Sequence, residues 1–173
     1  MPGAISGLVS MMFEGKDEAK QHAAGALAHL AVNEEAESMI VHSEGVLDAL
    51  VSLLSTGSEG SREEAAAALE NISFSEESAI KIARTDGAIH GLAMLLHSGK
   101  GKALENAIGA LQNLVVMAYF CHKDIAFAPG AISGITNVLW SGSPKAQVRI
   151  PNLEMPRYAQ SLKFSCSTMI FFC

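Results

Sequence analysis

A short block of sequence returns along this chain at a nearly fixed distance. Its four copies begin at Gly3, Gly45, Gly87 and Gly130, so the successive intervals are 42, 42 and 43 residues. Each copy reads glycine, then Ala or Val, then Ile or Leu. A fixed period of this length is typical of stacked supersecondary units that bury their apolar faces only against one another. The chain is therefore predicted to be a solenoid.

An alanine-rich phrase repeats in step with the glycine block. Its copies occupy 23–30, 65–72 and 107–114. A third element is an isoleucine that stands five residues before the next glycine, at Ile40, Ile82 and Ile125. Three independent elements with one period strengthen the prediction of repeated structural units.

The apolar spacing within each unit is helical. Leu47, Leu50, Val51 and Leu54 fall at i, i+3, i+4 and i+7, which places them on one helix face. The alanine-rich phrase predicts a second helix, and acidic first turns predict short third helices at 34–42 and 76–84. Each unit therefore contains three helices, and its opening glycine is expected to end the short helix in a left-handed conformation.

The repeats are predicted to fill residues 1–149, in units near 2–44, 45–86, 87–129 and a partial 130–149. Pro151 and Pro156 fall where the last helix of the fourth unit is expected, and an interior proline costs about 3 kcal/mol. Residues 150–173 are therefore expected to form an irregular tail. Ile5, Leu8, Val9 and Met12 are expected to expose apolar surface at one end of the solenoid, so the ends are predicted to self-associate.

The charge is unevenly distributed along the chain. The net charge is −6, but residues 1–86 hold 15 acidic and 5 basic side chains, whereas residues 87–173 hold 3 and 7. An acidic half repels phosphate, so nucleic acid is excluded as the expected partner and a basic peptide is favoured. A solvated surface that keeps a solenoid soluble explains the same charges.

Neither the cysteines nor the histidines predict a metal site. The three cysteines lack CxxC spacing, which argues against a disulfide framework and a zinc site and fits the reducing cytoplasm or nucleus. His22 and His29 are seven residues apart, about 10.5 Å along a helix, which is too far to share one ion. The longest apolar stretch, 114–121, is far below the roughly 20 residues of a transmembrane helix. We expect no metal, no cofactor and no transmembrane segment.

The units resemble the armadillo repeat. The likeness is clearest at 45–73 and 87–114, where Gly-Ala/Val-Ile/Leu opens the first helix and an Ala-rich phrase ends in Leu-x-Asn. HEAT repeats have a similar period, but the opening glycine and the Leu-x-Asn phrase favour armadillo. The resemblance covers about residues 2–150. It implies an all-α fold, a right-handed armadillo-type α-solenoid of three to four three-helix repeats.

The resemblance also implies a binding groove. In armadillo folds the alanine-rich helices line a concave surface, and the Asn of the Leu-x-Asn phrase holds the backbone of an extended peptide. The matching positions are His29, Asn71 and Asn113, which we call the groove column. A second column lies seven residues earlier, at His22, Glu64 and Asn106.

Structural roles compete with peptide binding at these positions. Asn near a helix end also bonds to neighbouring carbonyl groups and ties repeats together, and this alternative stays open. Residues 61–64 read Ser-Arg-Glu-Glu, which resembles a capping box that would occupy Glu64.

The function expected from these features is a protein-binding scaffold that is not an enzyme. The alternatives are the substrate-binding armadillo region of a larger ubiquitin ligase and a nuclear transport adaptor. The importin alpha proteins place Trp four residues before the groove Asn, whereas this chain has Gly25, Ala67 and Gly109 there. Without indole faces, the stems of ligand Lys or Arg lose a stacking surface, so transport is disfavoured.

Overall fold

The computed structural model describes residues 2–98, 100–118 and 122–141, and every regular element in these ranges is an α-helix. The helices are α1 (Pro2–Glu14), α2 (Asp17–Leu30), α3 (Glu34–His42), α4 (Val46–Thr56), α5 (Glu59–Ile72), α6 (Glu76–Arg84), α7 (Ala88–Ser98), α8 (Gly101–Met117), α9 (His122–Phe127) and α10 (Ala131–Ser141). The predicted all-α class is confirmed, and α3 and α6 have the bounds expected from the sequence. The predicted tail at 150–173 lies outside the described residues.

The helices form three rows, each stacked along the solenoid. The opening row is α1, α4, α7 and α10, the alanine-rich row is α2, α5 and α8, and the short row is α3, α6 and α9. Helices α2, α5 and α8 pack side by side, and each opening helix packs against the next one and against its own alanine-rich helix. This arrangement is an α-solenoid.

Local sequence signals set the ends of the helices. Asn33, Ser58 and Ser75 are N-caps whose side chains each accept a hydrogen bond from the backbone N–H three residues later. Gly45 and Gly87 have φ values of 75° and 80°, in the left-handed region that glycine adopts without strain. The expectation that this glycine ends the short helix is wrong, because Gly45 is the N-cap of α4, whereas α3 ends at His42 with Ser43 as its C-cap.

Small side chains bring the helices of the alanine-rich row close together. Ala24, Ala66 and Ala107, one on each of these helices, are fully buried, and the leucines of the row, Leu27, Leu69 and Leu111, are also fully buried. The isoleucines that precede the opening glycines close the core on the side of the short row, since Ile40, Ile82 and Ile125 are at most 1% exposed. All these residues belong to one continuous apolar core.

The prediction of an exposed apolar face on α1 is wrong. Ile5 and Met12 are only 3% and 2% exposed, and Leu8 and Val9 pack half-buried against the core. Helix α1 packs along both α2 and α4, which turns this face inward. The residues expected to drive self-association through this end are therefore covered, whereas Phe13 on the same helix is 48% exposed. The opposite end lies outside the described residues.

Two glycines at the same repeat position should respond oppositely to a methyl group. Gly7→Ala is expected to raise the melting temperature, because a Cβ there would meet nothing within 4 Å and Ala is favoured over Gly in helices by about 0.8–1 kcal/mol. Gly134→Ala should lower it, because α10 packs tightly on α7 and the added Cβ would lie 2.7 Å from the carbonyl carbon of Leu96. Thermal melts of both variants test this packing, and equal shifts would contradict it.

Candidate functional site

The six predicted binding residues all lie on the alanine-rich row. His22 and His29 are exposed on α2, and Glu64 and Asn71 are half-buried on α5. Asn106 and Asn113 are half-buried on α8. Because α5 packs between α2 and α8, the two columns run across three neighbouring helices.

The asparagines of the groove column connect neighbouring units. Asn71 Nδ2 donates to the backbone carbonyl oxygen of Ala28 at 2.8 Å. Asn113 Nδ2 donates to the carbonyl oxygen of Glu70 at 3.2 Å and to Ser73 Oγ at 3.0 Å. The amide nitrogens therefore tie α5 to α2 and α8 to α5, which is the structural role left open by the sequence.

The amide oxygens of the same side chains remain available. Among the described residues, no hydrogen bond reaches Oδ1 of Asn71 or Asn113, and no buried side-chain oxygen lacks a partner. These oxygens therefore face solvent and can accept hydrogen bonds from the backbone N–H groups of a ligand. The internal hydrogen bonds fix the orientation of each amide group, so its oxygen acceptor has a defined position.

The second column is built differently at each position. Asn106 Nδ2 donates to the carbonyl oxygen of Glu63 at 3.4 Å, so it repeats the pattern of the groove column. The Glu64 carboxyl packs against Gly25, since a Cβ on that glycine would lie 3.1 Å from Glu64 Oε2. The carboxyl group of Glu64 therefore covers Gly25 on the preceding helix.

The predicted capping box at 61–64 is wrong. The N-cap of α5 is Ser58, whose side chain accepts from the N–H of Ser61 at 3.3 Å. Ser61 is buried inside the first turn, and its hydroxyl donates to the carbonyl oxygen of Asp17 at 3.3 Å. Helix α5 starts one turn earlier than the capping box requires, so Glu64 is free of that role.

An open pocket of about 490 Å³ lies beside Asn71, the middle member of the groove column, between the first and second units. It is lined by Ala31, Val32, Glu34, Glu37, Asn71, Phe74 and Ser75. Two of these residues are acidic and none is basic, so the pocket favours a cation or a basic side chain.

Glu37 fixes the wall of this pocket. It is 8% exposed, although it carries a carboxyl group. The Ser78 hydroxyl donates to Glu37 Oε1, and the Ser75 hydroxyl lies 3.1 Å from the same oxygen. Since Ser75 is also the N-cap of α6, this cluster joins the start of α6 to the middle of α3.

Three exposed apolar side chains near the groove column were not predicted from the sequence. Val32, Phe74 and Val116 are 74%, 62% and 67% exposed, although each directly follows a buried residue. We call this set the apolar ladder. It stands at the end of each alanine-rich helix, and its 42-residue spacing was visible in the sequence. Periodicity alone could not identify it, because apolar residues at repeat spacing usually belong to the core.

The His, Cys, Asp and Glu side chains are scattered in the part of the chain that the structure describes. No three His, Cys, Asp or Glu side chains are grouped there so that they could hold a metal ion. No single described helix is long and apolar enough to cross a membrane; only α3 and α4 taken together reach the length and composition, with a bend of 84° between them.

The comparisons with known proteins agree with this architecture. The armadillo/β-catenin-like repeat family matches residues 33–74. The chain is an armadillo-repeat solenoid. No curated protein sequence matches the chain.

Solved structures of engineered and designed proteins superpose on most of the chain. An engineered protein is 29% identical with a TM-score of 0.79, and the alignment covers 87% of this chain and 62% of that one. Computationally designed armadillo repeat proteins for modular peptide recognition are 27% identical with a TM-score of 0.78, covering 87% and 63%. A designed armadillo repeat protein in complex with the peptide (KR)4 is 25% identical with a TM-score of 0.77, again covering 87% and 63%. This armadillo chain therefore spans less than two thirds of their length.

Proposed function

We propose that the chain is a protein-interaction scaffold that binds an extended peptide across its alanine-rich row. The observation that carries this proposal is the groove column, in which Asn71 and Asn113 each use Nδ2 to tie two units together and leave Oδ1 to solvent. Acceptors repeated on neighbouring helices suit a ligand whose N–H groups also repeat. The role proposed is binding rather than catalysis.

The partner proposed is a basic peptide. Glu64 presents a carboxyl group over Gly25, and Glu34 and Glu37 line the pocket beside Asn71. The first 86 residues have a net charge of −10, which attracts a basic ligand and accelerates its association at low ionic strength. A designed armadillo repeat protein in complex with (KR)4 supports the same ligand chemistry.

Nuclear transport is a less favoured function for this chain. At the position where importin alpha proteins carry Trp, Gly25 is covered by the Glu64 carboxyl group. A carboxyl group attracts the charged end of Lys or Arg, but it offers no flat apolar surface for the aliphatic stem. The ubiquitin-ligase alternative requires a catalytic domain that residues 2–141 do not contain in their helical repeats.

Replacing Asn71 and Asn113 together with alanine should weaken binding of (KR)4 by about 5- to 150-fold, equivalent to about 1–3 kcal/mol. The reason is that N–H groups of the bound peptide would lose their acceptors. Fluorescence anisotropy of a labelled (KR)4 peptide at two salt concentrations measures this change.

Ser58→Ala is the matched control. It removes the N-cap of α5 and costs about 1 kcal/mol of stability at the opposite end of that helix from Asn71. This variant should bind (KR)4 as the unmodified chain does. If the double variant bound with unchanged affinity, the asparagines would serve only to hold the units together. If the unmodified chain did not bind, the basic-peptide proposal would be wrong.

A further inference from the structure

His42 joins the short helices of the first two units. It is the last residue of α3, and its ring lies between two hydrogen-bond acceptors. Nδ1 lies 2.7 Å from the backbone carbonyl oxygen of Ser38 on the same helix, and Nε2 lies 2.9 Å from Glu77 Oε1 on α6. The second contact crosses from one repeat unit to the next, and in a solenoid each unit is held only by its neighbours.

The two contacts together require a charged ring beside an ionised Glu77. A carbonyl oxygen can only accept, so Nδ1 carries a proton in the bond to Ser38. A neutral imidazole then has no proton left for Nε2, whose lone pair would face the carboxylate group of Glu77. Imidazolium donates from both nitrogens, so the bond between α3 and α6 depends on one proton.

Other charges act on the same pair of side chains. His42 lies in the last turn of α3, where the helix dipole stabilises a cation. Lys81 acts against the bond, because its Nζ lies 3.8 Å from the same Oε1 atom of Glu77. Glu37, the buried acid of α3, is held by two serine hydroxyls at the start of α6. Among the described residues, no charged side chain of α2, α4 or α5, which also pack against α3, forms an ion pair with the ring.

The same position of the next unit carries a permanent cation. Arg84 lies 42 residues after His42 and is likewise in the last turn of a short helix, α6. An arginine side chain keeps its charge throughout the physiological pH range, whereas a histidine gains or loses its proton between about pH 5 and 8. The repeat therefore places a cation at the end of both helices, and the charge of the first one depends on pH.

We infer that His42 is a proton-dependent link between the first and second units, which bonds to Glu77 when the ring is charged and releases it when the ring is neutral. The link adds stability at acidic pH, and this contribution is lost as the pH rises through the range in which histidine loses its proton. Since α3 and the start of α6 both line the open pocket, the link holds two walls of that pocket together under acidic conditions. The inference does not depend on the proposed function, because no ligand takes part.

Thermal melts of the full chain at about pH 5.5 and about pH 8 test the link. His42→Ala should lower the melting temperature by about 1–3 °C more at the acidic pH than at the basic pH, because only the charged ring bonds to Glu77. Comparing one variant at two pH values removes the effect of alanine on helix propensity. An equal change at both pH values would overturn the inference.

Glu77→Gln separates the link from the effect of the helix end. An amide group can accept from the charged ring through Oε1 or donate to the neutral ring through Nε2. In the Glu77→Gln chain, His42→Ala should therefore change the melting temperature by nearly the same amount at both pH values. If the difference between the two pH values stayed as large as in the unmodified chain, the charge would act only on the end of α3 and the inference would be wrong.

His90→Ala is the matched control. His90 is exposed on α7, and it makes no hydrogen bond or ion pair with another described residue. It lies in the first turn of its helix, where a positive charge is unfavourable. Its removal should therefore cost no more at the acidic pH than at the basic pH. An extra loss at the acidic pH in both histidine variants would indicate a general effect of histidine charge and would overturn the assignment to His42.

Discussion

Replacing Leu69 or Leu111 with alanine is expected to lower the free energy of unfolding by about 2–5 kcal/mol. Both leucines are fully buried in the alanine-rich row. Leu69 lies on α5, which packs between α2 and α8, and Leu111 lies on α8, which packs against α5, α6 and α7. Each substitution removes buried apolar surface and leaves a cavity that the surrounding alanines are too small to fill. Thermal and urea unfolding, monitored by circular dichroism, measure the loss.

Leu30→Ala is the control for this prediction. Leu30 is the last residue of α2 and is 37% exposed, so its truncation should cost clearly less than that of Leu69. A similar loss for all three leucines would indicate a general effect of leucine on helix formation rather than burial between repeats. A melting temperature unchanged by Leu69→Ala would show that the assigned helix packing is wrong.

Glu37→Ala is expected to lower the free energy of unfolding by about 1.5–3 kcal/mol, the range for hydrogen bonds to charged groups. The Ser78 hydroxyl is buried and donates to Glu37 Oε1, and the Ser75 hydroxyl lies against the same oxygen. Removing the carboxyl group leaves the buried Ser78 hydroxyl without its acceptor, whereas the Ser75 hydroxyl can still donate to Ser78 Oγ.

Glu37→Gln separates this hydrogen-bonding role from a general effect of charge. Glutamine keeps the length of the side chain and one oxygen acceptor, so it should recover most of the stability lost in Glu37→Ala. Ser58→Ala provides a reference for the loss of one helix cap elsewhere in the chain. Equal destabilisation by alanine and glutamine would show that the negative charge, rather than the acceptor geometry, holds the two short helices together.

The fold could be predicted from the sequence because the signals that define it are local. Apolar residues at helical spacing, acidic first turns and glycines at a 42-residue interval all act within a few residues of their own position. The predicted short helices therefore agree with α3 and α6 at both ends. The side-chain caps of Asn33 and Ser75 explain where these helices start, and Ser43 and Thr85 are the C-caps that follow their last residues. Such caps act without help from distant residues.

The site could be predicted only in part from the sequence, because its contacts join residues of different units. Asn71 and Ala28 are 43 residues apart, as are Asn113 and Glu70. Whether an amide bonds to its own chain or to a ligand depends on how closely two helices approach, and sequence spacing does not report that distance. The resemblance to armadillo repeats predicted the groove column. It could not predict that each amide nitrogen bonds to a neighbouring unit while each amide oxygen faces solvent.

The sequence by itself determined the repeat period, the three helices of each unit and the residues that share a helix face. Tertiary structure alone decided which of those faces is covered. Packing of α1 on α2 and α4 buried Ile5 and Met12, whereas the same repeat geometry left Phe74 and Val116 in solvent. The physical reason is that helix formation depends on neighbours three or four residues away, while burial depends on which helices of other units pack against a given side chain.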